Sequence, residues 1–214
     1  MNLTRSGVEI LDPSGSSPAD PGLLPRPTLA YDGAGIRARS ESSSPMKILE
    51  TTLATWCDPE ADPAARWRHA CDLTELLRRH GDFGNRPPYS FHDRALARLP
   101  ARLGPTELRL ISATGARVLL DPDEPGPMRT SAAFLLGKTR QKAGLSPVLT
   151  LLAGPVEMPE DLVRQCAYTF DALAFAHCND LAALGIDPAA VGDHFERRGV
   201  PWDRTLGRVD LSRL

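Results

Sequence analysis

From Met46 onward the apolar residues recur at three- and four-residue steps. Leu162, Val163, Cys166, Ala167, Phe170, Leu173, Ala174 and His177 fall on one stripe of a helix. Leu108, Ile111, Gly115, Val118 and Leu119 do the same, as do Trp67, Ala70, Cys71, Thr74 and Leu77. Glycine and proline punctuate the gaps at Gly81-Asp82, Arg86-Pro87-Pro88, Gly104-Pro105, Pro125-Gly126-Pro127 and Gly154-Pro155. No run alternates β-branched and polar residues convincingly, so the pattern predicts an all-α chain without a sheet. It also predicts a C-terminal helix with Asp187 as N-cap and Pro188 at its first position, ended by Gly199.

The predicted helices recur as pairs. An apolar helix leads into an acidic, proline-containing loop, and a second helix opens with an apolar residue, an arginine and small residues. ILETTLATW, CDPEADPAAR and WRHACDLTELL form the first copy. ELRLISATGARVLL, DPDEPGP and MRTSAAFLLG form the second, and PVLTLLAG, PVEMPED and LVRQCAYTFDAL the third. A degenerate fourth, DRALARLPARLG, places Arg94 where the others have Arg68, Arg129 and Arg164. The resulting spacings are 26, 35 and 35 residues, and a period near 35 lies in the range of helical solenoids. Asp62 and Asp123 each stand six residues before a marker arginine, so a turn acid can pair with the next helix. The marker arginines are therefore expected to be scaffold.

At Met128-Arg129-Thr130-Ser131-Ala132-Ala133, Val163-Arg164-Gln165-Cys166-Ala167 and Trp67-Arg68-His69-Ala70-Cys71 the chain resembles the HEAT repeat family. The resemblance covers roughly residues 46 to 180. It implies a right-handed α-solenoid of about four antiparallel helix pairs that works by binding. The 81–103 unit is shorter than the family pattern, and the turn before Met128 is longer and richer in proline. The expected organisation is a disordered tail over 1–45, a helical repeat domain over 46–199 and a C-terminal tail over 200–214.

Composition narrows the picture. Residues 1–45 hold 6 Pro, 5 Gly and 8 Ser with Tyr31 as their single aromatic, too little apolar surface to offset chain entropy. Met46 could also serve as an internal start. The formal net charge of −2 provides no global field toward nucleic acid or anionic membrane, which disfavours nucleic acid as partner. No apolar run approaches the ~18 residues of a membrane span, and the N-terminus lacks a secretory core, so a cytoplasmic location is expected. The four cysteines, at 57, 71, 166 and 178, include no C-x-x-C pair and read as small buried hydrophobes.

Several motifs point to chemistry less well than to structure. Gly137-Lys138-Thr139 looks like the end of a phosphate loop, but Ala132 stands where the first glycine would be, and the preceding residues read as helix. Asp82-Phe83-Gly84 matches a kinase tripeptide with nothing else of a kinase around it. The acidic loops at 58–62 and 121–124 lack calcium-loop spacing and precede helix starts. His69 with Cys71, and His177 with Cys178, point in different directions along a helix, so no metal or other cofactor is expected. No catalytic constellation emerges. Arg94, Arg98 and Arg102, at i, i+4 and i+8 with Arg109 nearby, are the candidate binding stripe for an acidic partner or phosphates, although Pro100 can break its register.

The leading expectation is a module or scaffold that binds another protein. A DNA glycosylase built on HEAT-like repeats is the second, with Trp67, Asp72 and the arginine stripe in its site. A small-molecule enzyme of the bilin-lyase type rests on fold analogy alone.

Overall fold

The computed structural model describes residues 44–82, 88–177 and 181–214, and all of them lie within one compact unit, Ser42–Leu214. The tail expected over 1–45 falls outside these residues except for Ser44 and Pro45. The described chain is mostly helical, in keeping with an all-α reading. Its α-helices are α1 (Pro45–Trp56), α2 (Pro63–Gly81), α3 (Arg94–Ala97), α4 (Pro105–Leu120), α5 (Gly126–Thr139), α6 (Leu145–Ala153), α7 (Glu160–His177) and α8 (Pro188–Arg197).

Local chemistry sets most helix starts. Ser44 accepts from the Lys47 amide, Asp62 from Ala64 and Ala65, and Asp187 from Ala189, each followed directly by proline. A side-chain oxygen at this position satisfies amides that have no partner inside the helix, and proline there lacks the amide that would need one. The last turn of α2 carries Arg78 and Arg79, whose charges favour the negative end of the helix dipole.

Helix α1 packs on α2, α4 on α5 and α6 on α7. The first helices also touch in sequence, α1 on α4 and α4 on α6, as do the second helices, α2 on α5 and α5 on α7. Helix α5 is central, with Met128, Ala132, Ala133, Leu135 and Leu136 all buried. Small residues permit the approach on either side of it. A methyl at Gly115 would sit 3.4 Å from Leu136, and one at Gly137 3.4 Å from the Thr169 backbone. The Thr169 hydroxyl donates to the Ala133 carbonyl at 2.7 Å.

Each first helix also ends on an arginine. Arg66 Nε donates to the Trp56 carbonyl at 2.9 Å, and Arg129 Nε to the Leu119 carbonyl at 3.0 Å, both ten residues away. Arg198, at the end of α8, does the same for α6 through the Leu152, Gly154 and Val156 carbonyls. The Trp56, Leu119 and Leu152 carbonyls lie in last turns, where no partner is left inside the helix, and a charged donor supplies one. Two of the marker arginines differ from this. Arg68 is exposed and lies 3.7 Å from Asp62, and Arg164 pairs with Glu160 on its own helix. The buried pair is Arg66 with Glu124, at 2.5 Å and with both side chains almost fully enclosed.

Among the described residues the degenerate copy forms the four-residue α3, which lies against α1 and α2 without a second helix paired to it. Arg79 reaches from α2 to the Ala97 and Leu99 carbonyls just beyond it. The C-terminal segment contains a small sheet that the residue pattern did not predict. Strand β1 (Trp202–Asp203) pairs antiparallel with β2 (Arg208–Val209), Trp202 opposite Val209. Two-residue strands are too short to show an alternation. Trp202 stacks on Phe195 at 5.5 Å and leans on Phe170 at 6.2 Å, so the tail returns to α7 and α8, while Leu206 at the hairpin tip stays exposed.

Candidate functional site

The second helices of the three pairs present parallel stripes with one spacing. Helix α2 contributes Trp67 and Thr74, seven residues apart. Helix α5 contributes Pro127, Thr130, Ser131 and Phe134, and α7 contributes Asp161, Gln165 and Tyr168. Residues three, four or seven apart share a helix face, so each set points the same way. Between them runs a groove of about 560 Å³ lined by Trp67, Thr74, Phe134 and Gln165, with Pro159 and Asp161 where α7 begins. Trp67 is 50% exposed and Tyr168 42%.

A second pocket, of about 220 Å³, continues the groove and shares Phe134 and Gln165 with it. It adds Lys138 and Arg140 from the end of α5 and Tyr168 and Thr169 from α7. Lys138 Nζ lies 5.2 Å from the centre of the Phe134 ring, within range of a cation–π contact. Arg140 closes α5 in the left-handed region, at φ +51°, its amide donating to the Gly137 carbonyl at 3.3 Å. A non-glycine residue there costs about 1–2 kcal/mol. Gly137-Lys138-Thr139 is thus the end of a helix, as its residues suggest, but the glycine is a packing position and the arginine makes the cap.

The electrostatics run along this groove. Asp161 stands at one end, Lys138 and Arg140 at the other. His80, near the basic end, is held below the usual histidine range, first by burial and then by Arg102 and Arg140. Its Nδ1 accepts from the Leu103 amide at 3.1 Å.

The residue pattern pointed elsewhere. Arg94, Arg98, Arg102 and Arg109 are all exposed, but they do not share a helical face. Helix α3 stops at Ala97 with Arg98 as its cap, ahead of Pro100, and Arg109 belongs to α4, where it donates to Thr106. The stripe read on α2 is rotated as well. Its buried residues are Arg66, Ala70, Asp72, Leu73, Leu76, Leu77 and Arg79, which leaves Trp67 outside. The triplet Leu73, Leu76 and Leu77 carried that signal, and the buried arginines obscured it.

Asp72 is 1% exposed, and its carboxylate is committed to structure. It accepts from the His92 amide at 2.7 Å, the His92 ring at 3.1 Å and the Asp93 amide at 3.0 Å. It anchors the segment before α3. Together with Arg68 and His69 these groups line a shallow depression beside Trp67. Among the described residues, no cluster of three or more histidine, cysteine or acidic side chains could hold a metal ion, and no helix is long and apolar enough to cross a membrane.

Of the three described cysteines, only Cys166 is buried, its thiol pushed up to about 12 chiefly by desolvation. Cys57 and Cys71 are partly exposed, contrary to the expectation of buried hydrophobes. Cys178, the His177 side chain and most of the Asp82-Phe83-Gly84 tripeptide lie outside the described residues.

Neither the protein-family models, nor the curated proteins, nor the solved structures include a match to this chain.

Proposed function

We propose that this chain is a HEAT-like binding module that docks a segment of a partner protein along the face of α2, α5 and α7. In this reading the three helix pairs are antiparallel and stack as a right-handed α-solenoid, with α3 as a remnant of a further repeat. The order of contacts supports the stacking, since first helices touch first helices and second helices touch second helices. A cytoplasmic setting, where partly exposed thiols stay reduced, goes with it.

The observation that carries the proposal is the groove itself. Trp67 and Phe134 line the larger pocket, and Phe134 and Tyr168 the smaller one that adjoins it, each from a different helix. Trp67 and Tyr168 are exposed and Phe134 is half-buried, and accessible aromatic residues in a concave apolar site mark interfaces more often than bare surface. The glycosylase alternative has less support, because Asp72 is enclosed and already bonded to two backbone amides.

The test is selection of displayed random peptides on the immobilised full chain. Wild type is expected to enrich a peptide family, and the Trp67→Ala/Phe134→Ala variant, shown by circular dichroism to be folded, to lose it. Equal enrichment by both proteins, or none by wild type, would contradict the proposal.

A further inference from the structure

We infer that the docked segment carries an acidic side chain, seated against Lys138 and Arg140, next to the apolar side chain that rests on Phe134. This rests on the docking reading above and specifies its partner: a protein segment with a carboxylate on one side of an apolar anchor, laid in a fixed direction.

The argument is one of charge complementarity at a built corner. The apolar groove adjoins the smaller pocket through two shared residues, Phe134 and Gln165. Lys138 already lies over the Phe134 ring, so an apolar group on that ring is brought beside an ammonium. Arg140 adds a guanidinium to the same pocket, and Tyr168 and Gln165 line it with polar atoms able to donate. Lysine, arginine and these donors together suit a carboxylate.

Two further observations agree. Arg140 reaches the pocket from a left-handed backbone, a conformation that arginine adopts only at a cost and that glycine would adopt freely. Arg102 and Arg140 both bear on His80, so the positive potential extends past the pocket toward the edge of α2. At the opposite end, Asp161 repels a carboxylate and favours a cation. A segment laid the wrong way round would bring its carboxylate toward Asp161 instead of Lys138 and Arg140, and like-charge juxtaposition suppresses wrong registers.

The experiment uses the full chain and the peptides selected as above. Their sequences are expected to show an acidic residue at a fixed distance from an apolar one. Changing that acid to its amide should weaken binding about tenfold in fluorescence polarisation. The Lys138→Glu/Arg140→Glu variant should bind the amide peptide at least as tightly as the acidic one, and fresh selection on it should keep the apolar residue while losing the acidic one. Apolar enrichment with no acidic preference on wild type would overturn the inference and leave docking standing. Absence of any enrichment would remove docking itself and the inference with it. Tighter binding of labelled oligothymidylate than of the best peptide would also overturn it, in favour of a single-stranded nucleic acid.

Discussion

Arg66 and Arg68 stand two residues apart on α2 and have opposite fates. Arg66 is buried between the Trp56 carbonyl and Glu124, and Arg68 is exposed beside Asp62. Removing one partner of a buried pair strands the other charge, so Arg66→Met should destabilise the chain by about 3–5 kcal/mol. Arg68→Ala should cost at most ~1 kcal/mol, as an exposed pair contributes little. Urea unfolding of both variants checks the contrast, and equal losses would refute it. The pairing acid, Glu124, sits in a different loop from the turn that leads into α2, which is why spacing within one copy of the repeat could not find it. His80 supplies a pH signature. Its folded pKa is depressed by burial and by Arg102 and Arg140, so the folded chain favours neutral imidazole. The associated stability is present above the ordinary histidine value near 6.5 and is lost as pH falls below it toward the folded pKa. His80→Asn keeps an acceptor for the Leu103 amide and should flatten that slope in unfolding curves taken on either side of pH 6.5, whereas an unchanged slope would point to other groups.

At the scale of elements, helix existence was legible and helix rotation was less so. The Asp62-Pro63 and Asp187-Pro188 starts could be read because capping is local chemistry. The stripes of α4 and α7 could be read because their buried residues are apolar almost throughout. Helix α2 buries Arg66, Asp72 and Arg79 alongside its leucines, so polarity does not report the buried side and the residue pattern alone turns Trp67 inward. The C-terminal hairpin was hidden because its strands span two residues each. Its anchor can be tested at Gly192. A methyl there would lie 2.7 Å from the Trp202 ring. Alanine in place of glycine inside a helix normally gains about 1 kcal/mol. Here overpacking should outweigh that gain and cost about 1–3 kcal/mol net, with Trp202 emission shifted to the red. Stabilisation by Gly192→Ala would show that Trp202 does not pack on α8.

Across the whole molecule, the candidate site comes from three second helices that lie far apart in sequence and meet only through packing. Trp67, Phe134 and Tyr168 each sit on a different helix, and no local spacing connects them. The arginines at 94, 98, 102 and 109 stood out in the sequence because they are regularly spaced, but Pro100 and the short α3 disperse them. The near-neutral total charge also hides a groove that is acidic at Asp161 and basic at Lys138 and Arg140. The decisive comparison sets these two surfaces against each other. The affinity of the best selected peptide is measured by fluorescence polarisation for wild type, for Trp67→Ala/Phe134→Ala and for Arg94→Ala/Arg98→Ala/Arg109→Ala. The groove account predicts that the aromatic variant loses at least about 2 kcal/mol of binding, as hot-spot truncations do, and that the arginine variant stays near wild type. Loss confined to the arginine variant would contradict it.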